Sequence, residues 1–193
     1  RLTPEQLEEA ITDKTRVLIL CSPSNPTGSC YSKQDLEGLA EVLRRYPNIS
    51  IISDEIYEYI VFDKEHISLL NVAPDLKDRV ALINGFSKGF AMTGWRLGYL
   101  AGPEELVKAV GKIQSQETSA PSSISQAAGF AAYSGTLDEV LVMRASFKER
   151  RNFMVEQLNS IEGVSCFSPG GAFYVFPDIS SYLGSVTPSG TPI

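Results

Sequence analysis

Short apolar runs alternate with amphipathic stretches through the first half of the chain. Four runs, at residues 16–23, 49–57, 79–87 and 95–102, have the length and composition of buried strands. Between the first two runs, apolar side chains recur at helical spacing, which predicts a helix over residues 32–46. This order of strand, helix and strand predicts an α/β fold with a mostly parallel sheet flanked by helices.

The two ends of the chain carry different patterns. At the N-terminus, the segment Thr3-Pro4-Glu5-Gln6 has the residues of a capped helix start. Further helices are predicted at residues 103–116, 124–133 and 137–160, and the last has a charged face with Arg144, Lys148 and Arg151. After Gly163, the segment GVSCFSPGGAFYVFPDI predicts two short strands around a Gly-rich turn.

These patterns divide the chain into three predicted parts. Residues 1–136 form part of a large domain, residues 137–160 form a long linking helix, and residues 161–193 start a small α+β C-terminal domain. The chain has no initiating Met, and we expect it to begin inside a longer protein. We expect a cytoplasmic location, or an organelle matrix if a transit peptide precedes these residues.

The composition excludes several classes of protein. The 193 residues carry a formal net charge of −6, which argues against nucleic acid and anionic membranes as partners. No apolar run approaches the roughly 20 residues of a membrane span. The three cysteines form no CxxC pair, which argues against a disulfide framework or a metal site. A Ser-His-Asp hydrolase would depend on His66, the single histidine, and the sequence places it at a loop edge.

Polar residues lie at the carboxyl ends of the first three predicted strands, where α/β sheets bind ligands. These segments are SPSNPTG, DEIY and NGFSKG, and TGWRLGY leads into the fourth strand. Each segment alone has a structural explanation, such as an Asn-Pro turn in SNPTG or a helix cap at Asp54. Their combination and order indicate a binding site. Neither the P-loop pattern nor the GxGxxG pattern occurs, so a nucleotide is not the expected anion.

The segments SPSNPTG, SDEIY and FSKGFAMTGWRLGY together resemble the fold-type-I, class-I aminotransferases, which depend on pyridoxal 5′-phosphate (PLP). The similarity is greatest to the aspartate aminotransferase-like bacterial and plastid branch, and it extends from LTPEQLEEAI to GGAFYVFPDI. The resemblance implies that residues 1–136 belong to the large PLP-binding domain of that fold, which is incomplete here. It also implies a homodimer in the full-length protein.

The resemblance assigns chemical roles to four residues. Lys88 would form the Schiff base with the PLP aldehyde, and its freed amine would then shuttle the proton between the substrate and the cofactor. Asp54 would pair with the pyridine nitrogen and keep it protonated, because a nearby negative charge favours the cationic form. Tyr57 and Asn25 would both bond the ring oxygen O3′. The catalytic residues predicted in this way are Lys88, Asp54 and Tyr57.

The resemblance also assigns the phosphate site. Ser87 and Arg96 would bind the phosphate, for which a planar guanidinium is suited because it binds two oxygens at once. Three glycines would allow tight backbone around a bulky ligand: Gly85, Gly89 and Gly94. The chain departs from many members of the branch at Ala120, where we expect Asn. This difference affects the expected branch of the family and the expected substrate more than the expected cofactor.

The implied reaction is transamination of an amino acid with a 2-oxo acid, with aspartate and 2-oxoglutarate as the expected pair. Prephenate is the second expected substrate, and lyases on the same fold share the lysine and the aspartate. An alternative of another class is the PLP-binding sensor domain of a transcription regulator. The arginine that clamps the substrate carboxylate in the family would lie beyond this chain, so we expect residues 1–193 alone not to transaminate.

Overall fold

A four-stranded sheet forms the centre of the structure, a computed structural model that describes residues 1–191. The strands lie side by side in chain order, and strands β1 to β3 are parallel. Strand β4 runs antiparallel to β3, because residues 86–97 return the chain without a crossover helix. The predicted mostly parallel sheet is confirmed. The strands are β1 (Val17–Cys21), β2 (Ser50–Asp54), β3 (Val80–Gly85) and β4 (Gly98–Ala101).

Six α-helices surround the sheet within the described residues. Each predicted helix is present, and its bounds differ from the prediction by only one or two residues. The predicted cap at Thr3 is confirmed, since its side chain accepts from the Gln6 amide while the Gln6 side chain accepts from the Thr3 amide. The helices are α1 (Pro4–Ala10), α2 (Lys33–Arg45), α3 (Leu69–Val72), α4 (Glu104–Glu117), α5 (Ser123–Ser134) and α6 (Asp138–Asn159).

Helix α2 forms the centre of the main core. Its residues Leu36, Leu39 and Leu43 are almost fully buried, and they belong to one cluster with Ile51 of β2 and Val80 of β3. Burial of a large aliphatic side chain contributes about 1.5–3 kcal/mol relative to its exposure. This core fixes the three parallel strands, and it therefore fixes the positions at which their carboxyl ends leave the sheet.

The later helices keep much of their apolar surface exposed. None of the residues of α4 is buried, and α6 buries only Val140 and Arg151. An apolar surface of this extent is typical of a face that packs against further polypeptide. Among residues 1–191, no helix combines the length and the hydropathy that crossing a membrane requires. The exposed side chains on these helices include Ile113, Ile124, Phe130, Val142 and Phe153.

The prediction of two short strands after Gly163 is wrong. Within the described residues this region forms only isolated bridges, which pair Val61 with Gly171 and Ser165 with Asp178. The amides of this segment bond to other parts of the chain instead, since Gly171 donates to the Gly28 carbonyl and Ala172 donates to the Ile60 carbonyl. The division at residues 136 and 160 stays a prediction.

Candidate active site

The loops that follow the three parallel strands leave the sheet at one edge. The register places Cys21, the last residue of β1, beside Asp54 at the end of β2. Asp54 in turn lies beside Ile83 of β3. Because parallel strands end at the same edge, the segments that begin at Ser22, Glu55 and Phe86 start close together.

Three of the predicted site residues meet at this edge. The Tyr57 side chain is buried, and the Lys88 Nζ lies 6.0 Å from the centroid of its ring. The Tyr57 hydroxyl lies 2.6 Å from the hydroxyl of Tyr174, to which the Asn25 amide nitrogen donates over 3.4 Å. The structure therefore brings Asn25, Tyr57 and Lys88 into one group.

Asp54 presents a carboxylate at the end of β2. One of its oxygens, Oδ1, accepts a hydrogen bond of 3.2 Å from the Ile56 amide. Within residues 1–191, the carboxylate makes no other hydrogen bond, so its second oxygen is available to a ligand. A half-buried carboxylate with a free oxygen is suited to hold a positively charged N–H donor.

The side-chain nitrogen of Lys88 lies near two aromatic rings. The Nζ atom lies 5.5 Å from the centroid of the Phe173 ring, in addition to its contact with Tyr57. No carboxylate within the described residues forms an ion pair with Lys88. Lys88 thus places a half-buried primary amine beside these rings, and a primary amine that has lost its proton condenses with a carbonyl group.

Ser87 and Arg96 lie at the base of one loop, between β3 and β4. Their neighbours Phe86 and Leu97 are joined by a hydrogen bond of 3.2 Å from the Phe86 amide to the Leu97 carbonyl. The Arg96 guanidinium is exposed and uses one N–H group on the Thr93 carbonyl, at 2.9 Å. Within the described residues, no side-chain hydrogen bond or ion pair joins Ser87 or Arg96 to Asn25, Tyr57 or Lys88.

Helix α5 supports this loop from outside. The Ser125 hydroxyl donates to the Trp95 carbonyl at 2.7 Å. A Cβ atom on Gly129 would lie 2.4 Å from the side chain of Leu97, so the loop packs directly on the helix backbone. Ala120, where the family resemblance predicts Asn, lies exposed in the connection that precedes α5.

Two of the three glycines predicted to surround a ligand contact protein atoms instead. A Cβ atom on Gly85 would lie 2.9 Å from the Cα of Gly98 in the neighbouring strand. A Cβ atom on Gly89 would lie 2.7 Å from the ring of Tyr59. These glycines are needed for close packing inside the loop, and their predicted role around a ligand stays a prediction. Gly94 has open space beside it.

The sequence pattern assigned no role to Glu55, a buried carboxylate next to Asp54. Glu55 is only 3% exposed, and its carboxylate accepts hydrogen bonds from Ser53 at 2.8 Å and from Ser68 at 2.6 Å. The Nε2 atom of His66 lies 2.8 Å from the other carboxylate oxygen. Burial alone would raise the pKa of Glu55, but the hydrogen bonds from His66, Ser68 and Ser53 outweigh it and lower the pKa.

The hydrogen bonds of Glu55 with Ser53, His66 and Ser68, called here the Glu55 network, hold the loop of residues 61–68 against the end of β2. His66 therefore has a structural partner, although the sequence placed it only at a loop edge. Glu58 adds a second carboxylate, and the potential ligand atoms of Glu55, Glu58 and His66 lie within 4.8 Å of one another. Both oxygens of Glu55 are already hydrogen bonded, so the network explains this cluster without an ion.

The lowered pKa of Glu55 predicts how stability depends on pH. A carboxyl group with a lowered pKa in the folded state stabilises the fold above its ordinary pKa of about 4.3, and this contribution is lost as the pH falls through the lowered value. We expect Glu55→Gln to lower the melting temperature of the complete gene product by several degrees at pH 7. The difference from the unmodified protein should shrink below about pH 4. Thermal unfolding followed by circular dichroism measures it, and a difference that stays constant from about pH 7 to about pH 3 would contradict this assignment.

Comparisons with known proteins agree on one group of enzymes. A family model described as aminotransferase class I and II matches residues 1–187. An aspartate/prephenate aminotransferase of Cereibacter sphaeroides is 48% identical over 100% of this chain. A bifunctional aspartate aminotransferase and glutamate/aspartate-prephenate aminotransferase of Petunia hybrida is 52% identical over 95% of this chain. The crystal structure of the aspartate aminotransferase from Rhizobium meliloti superimposes with a TM-score of 0.95 at 49% identity, over 100% of this chain.

These relatives are much longer than the chain. It covers 48% of the Cereibacter sphaeroides protein and 39% of the Petunia hybrida protein. It also covers 48% of the Rhizobium meliloti chain in the crystal structure. The chain thus spans less than half the length of these relatives, which is consistent with the apolar surface left open on α4 to α6.

Proposed function

The chain belongs to the class I and II aminotransferase family, and from this premise we propose that it carries the PLP site of an aminotransferase. The complete gene product would transfer an amino group from an amino acid to a 2-oxo acid. One observation carries the proposal: Asn25, Tyr57 and Lys88 meet at the edge of the sheet where Asp54 presents a free carboxylate oxygen.

The chemistry of these residues fits the cofactor. PLP supplies an aldehyde for a primary amine and a ring that accepts electrons from the substrate. Lys88 would hold the aldehyde carbon and, when released, would move the proton that transamination transfers. Asp54 would hold the ring nitrogen in its protonated form, and the Tyr57 hydroxyl and the Asn25 amide would donate to the ring oxygen.

The loop between β3 and β4 would hold the phosphate. Ser87 offers a hydroxyl, and Arg96 keeps most of its N–H donors free while one is used on Thr93. A guanidinium binds phosphate with two parallel hydrogen bonds, which fixes the orientation of the group as well as its position. The exposure of Arg96 agrees with a donor that receives its partner only when the cofactor binds.

The proposal extends to the assembly and the location of the complete gene product. We infer a homodimer, since the resemblance implies one. The exposed apolar faces of α4 to α6 are of the kind that pack against further polypeptide. We expect it to act in the cytoplasm or in an organelle matrix. Nucleic acid is not an expected partner of this acidic chain.

The expected substrates are aspartate and 2-oxoglutarate, with prephenate as the second acceptor. Support comes from the relatives, whose names include aspartate aminotransferase and aspartate/prephenate aminotransferase. We predict that the complete gene product prefers the dicarboxylic acceptor 2-oxoglutarate to pyruvate by about tenfold or more in kcat/KM, which corresponds to about 1.4 kcal/mol.

A panel of 2-oxo acids, with aspartate as the donor, measures this preference as initial rates over a range of acceptor concentrations. The panel should contain 2-oxoglutarate, prephenate and pyruvate. Release of the amino group as ammonia, without formation of a new amino acid, would instead indicate a lyase. A strong preference for pyruvate would contradict the proposed substrate class while leaving the cofactor assignment in place.

A further inference from the structure

The Gly-rich segment of residues 169–174 lies between the loops that follow β1 and β2. The Gly171 amide donates to the Gly28 carbonyl at 3.0 Å, and the Ala172 amide donates to the Ile60 carbonyl at 2.8 Å. The Phe62 amide completes the arrangement with a bond of 2.9 Å to the Gly170 carbonyl. These backbone bonds hold a distant part of the sequence against the strand ends that form the site.

Glycines set how closely this segment approaches. Gly28 has φ of +66°, and a Cβ atom on it would lie 2.5 Å from the Cβ of Pro169. A Cβ atom on Gly171 would lie 2.6 Å from the Ile60 carbonyl oxygen. No side chain fits at either position, so the segment is held at backbone contact distance, and residues that follow it are placed with little freedom.

The residue placed by this arrangement is Tyr174. Its hydroxyl lies 2.6 Å from the Tyr57 hydroxyl and receives the Asn25 amide N–H over 3.4 Å. An amide nitrogen only donates, so the Tyr174 oxygen acts as the acceptor in that bond. Tyr174 keeps its own proton, which it can donate to Tyr57 across this contact of 2.6 Å, and in that arrangement the Tyr57 proton is free for another acceptor.

We propose that Tyr174 is a further positioning residue of the site, whose hydroxyl donates to Tyr57 and so directs the Tyr57 proton toward the ring oxygen of the cofactor. This inference rests on the proposed function. A donor that itself accepts a hydrogen bond is polarised and donates more strongly. Tyr174, which the Gly-rich segment holds in place, would thus influence the charge on the ring oxygen of the cofactor without contacting the reacting atoms.

The surroundings of Tyr57 favour the protonated form of its phenol. Burial is the largest cause that raises the pKa of Tyr57, and the like charge that an ionised Tyr174 would carry adds to the increase. The other titratable groups that face the phenol are the Cys21 thiol, which adds to the increase, and the Lys88 ammonium above the ring. Tyr57 therefore remains a donor across the neutral pH range.

The test is the pH titration of the bound cofactor's absorbance in the complete gene product. A weaker bond from Tyr57 leaves more negative charge on the ring oxygen, and this charge favours the protonated form of the nearby Lys88–cofactor linkage. We expect Tyr174→Phe to raise the midpoint of the titration by about half a unit to one unit, because it removes one hydrogen bond. Tyr57→Phe should raise it further, and the double variant should match Tyr57→Phe alone, since Tyr174 acts through Tyr57.

Tyr31→Phe is the matched control, because the Tyr31 hydroxyl accepts from the Leu2 amide at 2.9 Å and makes no described hydrogen bond to Asn25, Tyr57 or Tyr174. Its midpoint should equal that of the unmodified protein. An unchanged midpoint in Tyr174→Phe overturns the proposal, and so does a double variant whose shift is the sum of the single shifts. Loss of folding or of cofactor binding in Tyr174→Phe also overturns it, since the ring remains to pack. An unmodified protein that binds no PLP overturns the proposed function itself, so the two failures are distinguishable.

Discussion

Replacement of Lys88 by alanine is expected to reduce transamination by the complete gene product by at least about 10⁴-fold. Two functions are lost together, since the same amine holds the cofactor and moves the proton under the proposed mechanism. The surroundings of Lys88 offer no substitute, because its Nζ faces the rings of Tyr57 and Phe173 and no second lysine of the described residues shares these contacts. Initial rates with aspartate and 2-oxoglutarate measure the effect.

The exposed Lys77 provides the matched control for this variant. Lys77 precedes the amino end of β3, at the opposite end of that strand from the site, so Lys77→Ala removes the same kind of side chain and should keep the rate of the unmodified protein. Borohydride reduction of the protein with PLP, followed by peptide mapping, identifies the attached lysine independently of the rate. A label on any lysine other than Lys88, or appreciable turnover by Lys88→Ala, would refute the assignment.

Periodicity was sufficient to predict the sheet and most of the helices. The apolar runs are short and bounded by Pro, Gly and Asp, so strand length follows from local composition. The helix starts are specified by their own side chains, as at Thr3 and at Ser32, which both form capping boxes. Because parallel strands end at one edge, the predicted order also brought Asn25 and Tyr57 near Lys88 without any knowledge of tertiary contacts.

The sequence pattern could not predict contacts between distant parts of the chain. The segment around Gly171 has strand-like composition, but its partners are Gly28 and residues 60–62, which no local rule identifies. Tyr174 is separated from Tyr57 by 117 positions, and nothing in a single sequence indicates that the two hydroxyls meet. The same holds for Glu55 and His66, whose pairing depends on the path of the intervening loop.

The assignment of Ser87 and Arg96 to a phosphate site stays a prediction. Ser87 and Arg96 are brought to the base of one loop by the bond between Phe86 and Leu97. The exposed Arg96 guanidinium donates to the Thr93 carbonyl, and no described interaction joins it to the Ser87 side chain. A bound phosphate would supply that interaction.

Asp54→Ala is expected to keep the fold and to lower turnover by about two decades or more, at about 1.4 kcal/mol for each decade. The fold should persist because the carboxylate makes a single described hydrogen bond, to the Ile56 amide, and β2 is held by its ladders to β1 and β3. The catalytic loss is electronic. Without the carboxylate, the ring nitrogen of the cofactor loses the charge that keeps it protonated, and the ring then withdraws electrons less strongly from the substrate.

The isosteric variant Asp54→Asn separates charge from shape. The amide oxygen that it introduces can still accept from the Ile56 amide, but a neutral amide cannot stabilise a positive charge on the ring nitrogen. Both variants should therefore lose turnover to a similar degree while they retain bound cofactor, and Asp54→Glu should recover part of the rate because it restores the negative charge. Measurement of kcat, cofactor content and melting temperature on the same samples distinguishes this electronic role from a structural one. Near-normal turnover by a folded Asp54→Asn protein with bound cofactor would show that the carboxylate does not control the ring nitrogen.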